Sequence, residues 1–536
     1  MEKRAFLAVA LSLLILVIYQ EWIVRQYGVA PAPTKETQEV EKVAPAPPKL
    51  ESTSQKGGHV EPPVAAKAKD VVVETDNYIA VFTNDGARLK SFKFKNYRSS
   101  VDEKSGPYEL VATNPGVPLP LGIRSSGPTG LDDSKVTYAV EGTDLKLSGD
   151  SQGVLLFKGQ LTDGSVVTKK LTFKGSSYPI GVEVGARKSD GGQLPVELLL
   201  TVKSDHAVAN PDAPFEGLLA LVDHNVKRVS LEELTKGVQF TGDISWGGFG
   251  KTYFLFAVLT DNGAGHKLSA QQSGPAIVMS IGAQNGKVAD GRYTLFAGPK
   301  ELDVLQSAGK GLEGSINFGY FAIVSKPFLY ILHFSHRFTG SYGIDIIILT
   351  ILMKILTAPL THKSFVSMKQ MQKLGPQMER LKEKFKDDRE KLNKEIMELY
   401  RRNGVNPLGG CLPMLLQFPI FIGLYNALST PIELRHAPFL WIKDLSRPDW
   451  ESLPFTLGNW HLGIPVLTVL MGASMFVQQW MTPSAGDPNQ RRMMLMMPII
   501  FTGMFVTFPA GLTIYWLVNN ILTIGQQYWI SRMEQK

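Results

Sequence analysis

One cysteine, Cys411, is all the thiol chemistry that this 536-residue chain carries. An internal disulfide framework and any multi-cysteine zinc or iron–sulfur site are therefore excluded. Nine histidines are scattered along the chain, and no His-Glu-x-x-His occurs. Acid is scarcest in the apolar runs at 344–360, 411–429, 463–481, 493–508 and 512–530. These hold no histidine and, besides Asp345, no Asp or Glu. Paired intramembrane aspartates, metal ligands and acidic proton relays are thus missing, which argues against an intramembrane protease or a proton-driven pump. A phosphate loop is lacking too. Gly247-Gly248-Phe249-Gly250-Lys251-Thr252 ends like one, but the first glycine of that motif would fall at Ser245, so it reads as a turn beside a strand. Nothing here calls for a cofactor or points to an enzyme.

Hydrophobic residues make up 44% of the chain and charged residues 20%, and the mean hydropathy is −0.01. That average conceals an apolar part joined to a watery one. Lys3 and Arg4 precede an apolar run at 5–24, close to the ~20 residues that span a bilayer, with Tyr19 and Trp22 where an interfacial belt would lie. A cleavable signal peptide starts in the same way. The nearest small-residue cleavage sequence, Val29-Ala30-Pro31-Ala32-Pro33, is crowded with prolines, which favours an uncleaved anchor over 1–25. Residues 26–69 are proline-rich and lack the surface needed to fold beyond a tether. From 70 to 311 the pattern has period two. Tyr78–Phe82 and Leu89–Lys95 flank an Asp85-Gly86 turn, and further alternating runs lie at 139–147, 154–161, 165–173, 180–184, 194–202, 253–259 and 276–281. A large β-sandwich is expected there, with a helical period only at 301–309.

After 311 the chain is membrane-like again. Residues 318–338, with Lys326-Pro327, His333, His336 and Arg337, suggest an amphipathic helix lying in the interface within 312–340. The five later runs in 341–536 are each long enough to span with little tilt. A basic segment, including Lys363, Lys369, Lys373, Arg380, Lys382, Lys384 and Arg402, separates the first two of them. The loop 430–462 carries only Arg435, Lys443 and Arg447 against four acids. By the Lys/Arg bias both chain ends are cytoplasmic and the β domain is external. The expected fold is a polytopic α-helical membrane protein of six spans bearing a large external β domain. Residues 362–404 read as a cytoplasmic hairpin of two helices turning at Asp387-Asp388. The hairpin is either a solvated face or a docking site for an anionic partner such as ribosomal RNA or headgroups.

One full charge lies inside a predicted span: Lys354, about 10 Å from its cytoplasmic end. A lysine can snorkel from such a depth. Gln417, Asn519 and Asn520 lie at matching depth on other spans, with Trp516 a turn further out. Intramembrane polar groups usually face a partner or a water-filled cavity, so together they suggest a hydrated notch open to the cytoplasm. Met471, Met475, Met493, Met494 and Met497, with Met481, Met496 and Met504, cluster in or beside the fourth and fifth spans. They are either ordinary packing or a flexible surface that accepts many apolar sequences. A secondary transporter would instead show inverted repeats and helices broken at the midplane; no repeat is visible, and Pro413 and Pro419 interrupt one span only.

Val405-Asn406-Pro407-Leu408-Gly409-Gly410-Cys411-Leu412-Pro413-Met414-Leu415-Leu416-Gln417-Phe418-Pro419-Ile420-Phe421 resembles the signature of the YidC family of bacterial membrane protein insertases. Glu433-Leu434-Arg435, Ala437-Pro438-Phe439, Met497-Pro498 and Phe508-Pro509-Ala510-Gly511-Leu512 extend the match. The resemblance implies a periplasmic β-supersandwich similar to sugar-binding folds, without implying a sugar-related function. It implies a positive residue in the second span, usually arginine; Lys354 matches that position, keeping the charge and losing the bidentate fork. It further implies an insertase and chaperone of the bacterial inner membrane, not an enzyme. Nascent membrane proteins would be its substrates, with the Sec translocon, the ribosome and the bilayer as partners.

Overall fold

The computed structural model describes residues 69–533 apart from 103, 126–130, 205–215, 263–264, 285–289, 320, 406–411, 430, 458–459 and 483–487. The expected anchor and tether, and part of the 405–421 motif, lie outside the described residues.

The β-rich region runs from Asp70–Glu74 to Asp290–Pro299, with two short helices, α1 (Leu231–Leu234) and α2 (Leu302–Ala308). It holds one ten-stranded antiparallel sheet and two five-stranded sheets. The large sheet is centred on Ile244–Gly250, Phe254–Thr260, Asp290–Pro299 and Pro179–Arg187. Every residue of Phe254–Thr260 is buried, because neighbours cover that strand on both edges and both faces. In Val166–Lys174 the period of two is strict: Val167, Lys169, Leu171 and Phe173 point inward.

Sequence and structure differ in three places. The Gly247–Gly250 stretch is not a turn; it lies inside Ile244–Gly250, paired on both edges. A Cβ at Gly248 would lie 2.3 Å from the Ala257 Cα, so glycine here permits close backbone approach. The run at 139–147 is two short strands in different sheets, Ala139–Glu141 and Leu145–Lys146, separated by Gly142. Residues 217–250 and 266–273 add strands whose alternation is blurred by two-sided burial or by polar edges.

Lys169 is a charge at an inward position, and its compensation joins all three sheets. Its Nζ lies 2.6 Å from the fully buried Asp133 carboxylate and donates to the carbonyls of Gly86 and Leu121. Arg88, from the sheet that contains Arg88–Arg98, reaches the other Asp133 oxygen at 2.6 Å. The backbone N–H of Ile123, in the third sheet, and the Tyr138 hydroxyl also donate to Asp133.

The helical region contains α3 (Ala322–Thr339), α4 (Tyr342–Lys373), α5 (Gly375–Lys384), α6 (Arg389–Arg402), α7 (Leu412–Ser429), α8 (Val466–Met481), α9 (Pro488–Phe505) and α10 (Ala510–Met533). Among the described residues, α4 is the one helix both long and apolar enough to cross a bilayer; the apolar stretches of α8 and α9 are shorter. The expected two-helix hairpin is three segments. At 32 residues α4 is about 48 Å long and runs on past its apolar part into the basic region. It breaks at Leu374 because Pro376, at the start of α5, has no N–H to continue the ladder and disfavours helical geometry just before it. Asp388 caps α6 by accepting from the Lys391 N–H, and the Tyr400 hydroxyl reaches Met378 Sδ across the pair at 3.2 Å.

Asp133→Asn would leave Lys169 and Arg88 buried without a counter-charge. A loss of about 3–5 kcal/mol is expected, read as a lowered thermal unfolding midpoint of the β region in the full chain.

Candidate functional site

The site is framed by how α10 packs. Its early inward positions, Ala510, Leu512, Ile514 and Tyr515, join a cluster with Ile346 and Leu349 of α4, Ile420 and Leu424 of α7, Leu467 and Met471 of α8, and Phe505 of α9. All these belong to one end of the bundle. Further along α10 the next buried side chains are polar: Asn520, Thr523 and Gln527 are all at least nine-tenths buried, before the apolar Ile530 near the helix end. The interior therefore changes from apolar to polar within about 18 Å of helix.

The polar positions of α10 meet three other helices. Lys354 Nζ on α4 donates to Thr523 Oγ1 at 2.7 Å, and that hydroxyl donates on to the Asn519 carbonyl. Gln526 Nε2 donates to the Ala358 carbonyl, one turn beyond Lys354. Gln417 Nε2 on α7 donates to the Tyr515 hydroxyl at 3.0 Å. Asn520 Nδ2 donates to Ser474 Oγ on α8 at 3.0 Å, and Gln527 Nε2 reaches Thr482 Oγ1. The carbonyl oxygens of Gln526 and Gln527 are buried with no protein partner among the described residues. Buried acceptors of this kind suit water.

The expected groove residues thus do not share one surface. Lys354, Gln417 and Asn519 are half-buried, whereas Asn520 is sealed between α8 and α10 as an interhelical hydrogen bond. Trp516 packs edge-on against Phe421 at 5.4 Å and against Phe505 at 5.2 Å, closing the polar zone toward the apolar end. Thr523, Gln526, Gln527, Tyr515 and Ser474 went unnoticed in the sequence. Asn519, Thr523 and Gln526 at i, i+4 and i+7, and Asn520 and Gln527 at i and i+7, are helical stripes that could have exposed them.

The methionines divide as well. Met471 is fully buried in the apolar cluster, so it forms no surface for a passing segment. Met475 and Met497 are half-buried and Met494 is exposed, while the Met493 side chain lies outside the described residues. Met496 and Met504 add to the open apolar face of α9, beside Ile499 and Ile500.

The apolar end is capped by the loop between α7 and α8. The carbonyls of Arg447 and Leu445 accept the first N–H groups of α10. Asp449 accepts from the Leu467 N–H and the Thr468 hydroxyl at the start of α8, where a negative charge suits the helix dipole. The α3 helix is tied in by two imidazole–carboxylate pairs, His333 to Glu433 at 2.9 Å and His336 to the buried Asp345 at 2.8 Å. Burial alone would lower the His333 pKa, but the hydrogen bond and charge of Glu433, with Asp303 and Glu301 nearby, outweigh it and hold the pKa above the ordinary value.

Comparison with known proteins places this arrangement. Residues 70–331 match the YidC periplasmic domain model, and residues 334–536 match that of the 60Kd inner membrane protein. The membrane protein insertase YidC of Pelobacter propionicus is 38% identical over 99% of this chain and 99% of its own length. That of Syntrophus aciditrophicus is 39% identical over 99% and 100%. The chain belongs to the YidC membrane protein insertase family. A solved active YidC insertase covers 87% of this chain and 93% of its own, at 20% identity and a TM-score of 0.38, too low to bear on the fold. The YidC relatives lend nothing to the transporter alternative. The YidC domain order, a strand-rich periplasmic part followed by a helical membrane part, agrees with the order of elements described above.

The Asn520–Ser474 contact is expected to couple α10 to α8 by about 0.6 kcal/mol, and by no more than about 1.7 kcal/mol. A double-mutant cycle of Asn520→Ala and Ser474→Ala, read by reversible unfolding in mixed micelles, measures it.

Proposed function

We propose that this chain inserts hydrophobic segments of nascent proteins into the inner membrane and assists their folding, through a hydrated groove open to the cytoplasm and closed outside. The observation that carries the reading is the change of the bundle interior from apolar to polar along α10, with Lys354 at the polar end. Six spans with both ends cytoplasmic complete the topology: the anchor at 1–25, then α4, α7, α8, α9 and α10, with α3 lying in the outer interface. The insertase names of the full-length relatives support it.

The process needs no nucleotide. A substrate segment gains about 0.3–0.6 kcal/mol for each Leu, Ile, Phe or Val at the bilayer centre, so a dozen such residues contribute about 4–7 kcal/mol. The barrier is its polar outer tail, each charge of which costs about 2.5–3.5 kcal/mol at the centre. Water held beside Lys354, Gln417 and Asn519 shortens the dry path, and the lysine offsets an acidic charge in transit. The closed end built by Trp516, Phe421 and Phe505 keeps the groove from becoming a pore. Thinning of the bilayer shortens the path further: the apolar stretch of α9, Met494–Phe505, covers only about 18 Å of a ~30 Å core. The ten-residue set of Lys354, Gln417, Trp516, Asn519, Asn520, Met471, Met475, Met493, Met494 and Met497 divides accordingly. Lys354, Gln417 and Asn519 line the groove, Trp516 closes it, Asn520 and Met471 hold its wall, and the remaining methionines belong to the apolar surface over which a segment leaves. The basic α5–α6 hairpin docks the ribosome, and the chain works alone or beside the Sec translocon.

Cysteines at Lys354, Gln417 and Asn519 in a Cys411→Ser background are expected to react with a membrane-impermeant maleimide from the cytoplasmic side alone, because the thiolate forms in water and hardly in hydrocarbon. Inert thiols at all three sites would reduce the groove to packing, and reaction from both faces would make it a channel.

Lys354→Arg is expected to preserve insertion, and Lys354→Ala to slow it for substrates whose outer tails are acidic. Pulse-labelling with protease protection of such substrates measures both, and an unchanged rate in Lys354→Ala removes the electrostatic role.

A further inference from the structure

The turn Ile432–Leu434, in the loop between α7 and α8, is shared by two cores. Ile432 is buried in the apolar cluster of the β domain and Leu434 in that of the bundle. Helix α3 is divided in the same way, with Leu329 in the first cluster and Phe328 and Leu332 in the second. Between these anchors lie two titratable side chains. Glu433 Oε1 is 2.9 Å from His333 Nε2, and the side chains are only 6% and 14% exposed. Two residues beyond Glu433, Arg435 enters the β domain, its guanidinium carbon 5.6, 5.7 and 5.8 Å from the ring centres of Tyr108, Tyr253 and Phe254. Glu301, just before α2, closes the junction from the β-domain side, where the Tyr97 hydroxyl donates to its Oε2 at 3.3 Å.

His333 is thus set opposite three carboxylates: Glu433 from the turn, and Glu301 and Asp303 from the end of the β domain. Tyr97 and Tyr178 of the β domain also face Glu301, and Tyr342 of α4 faces both Glu301 and Glu433. On α3 itself, His336 is engaged with Asp345 at 2.8 Å. Burial holds the Glu301 carboxyl above its ordinary pKa, and the nearby charge of Glu433 adds to this against the Tyr97 hydrogen bond. The two shifts have one sign. The raised His333 pKa stabilises the junction fully below about pH 6.5, and this contribution is lost as the pH climbs through the raised value. Glu301 suits its site when protonated, so its ionisation above the ordinary carboxylate range weakens the same junction. A neutral imidazole can still donate from Nε2, but Glu301 and Glu433 then repel each other without its positive charge between two apolar cores.

We infer that this junction is a proton-operated clasp between the β domain and the bundle, tightened by acid and loosened by alkali. Its moving parts are α3 and the turn that carries Glu433 and Arg435. Because the same loop satisfies the first N–H groups of α8 and α10, the state of the clasp reaches the closed end of the bundle. Under the topology proposed above the clasp lies outside the cytoplasm and reads external pH. The clasp itself does not depend on that topology.

Hydrogen exchange of the purified full chain in neutral detergent, followed by mass spectrometry, tests it at about pH 5.5 and about pH 8.5, on either side of the imidazole range. After correction for the intrinsic pH dependence of exchange, peptides covering α3 and residues 431–435 are expected to lose protection several-fold at the higher pH. His333→Gln keeps a donor toward Glu433 but cannot hold the proton, so most of this fall should vanish. Glu301→Gln should leave protection in acid unchanged and raise it in alkali above that of the unaltered chain, a gain that misfolding cannot produce. Equal protection at the two pH values, a fall undiminished by His333→Gln, or no gain in Glu301→Gln would overturn the clasp.

Discussion

The helices α4, α7 and α8 each meet α10 through a polar contact, and this single dependence organises the helical region. In hydrocarbon there is no hydrophobic force between helices, so association rests on packing and on interhelical hydrogen bonds. Lys354, Gln417 and Ser474 each find their partner on α10. Removing that stripe would take away the contacts that hold α4, α7 and α8 around a common axis. It would also leave the Lys354 ammonium without its hydroxyl acceptor in a medium where unpaired charge is costly.

Closure at one end follows from the opposite chemistry. The early turns of α10 present mainly apolar and aromatic side chains inward, Thr513 apart, and Trp516, Phe421 and Phe505 interlock there. The loop above then satisfies the first N–H groups of two helices with its own carbonyls and with the Asp449 carboxylate. Helix ends leave such groups orphaned, and in a low-dielectric setting an orphan is expensive. The same loop sends Arg435 into the aromatic cage of the β domain. The closed end of the bundle and the seat of the β domain are thus one construction.

The β domain was legible where burial was one-sided. Val166–Lys174 alternates strictly because one face meets the core and the other meets solvent. Phe254–Thr260, buried throughout, still read as a strand from its apolar, β-branched run. Ile244–Gly250 did not, since its glycines carry the local signature of a turn, and only the close approach of Leu268, Ala257 and Leu219 to Gly247, Gly248 and Gly250 explains them. Lys169 could not be read at all as a core residue. Its compensation by Asp133 joins positions far apart in the chain, and no local pattern records that pairing.

Composition and periodicity alone determined the division into a period-two region and a series of apolar helices. They also determined the presence of one lysine within a long apolar run, with polar residues at matching depth on others, because each depends only on residue type and local spacing. Tertiary structure decided which of those residues share a space. It sealed Asn520 between two helices, sank Met471 into the core and gave Lys354 its partner in Thr523. The physical reason is rotation about the helix axis: depth follows from the rise per residue and is written in the sequence, whereas the direction a side chain faces is set by the helix that packs against it.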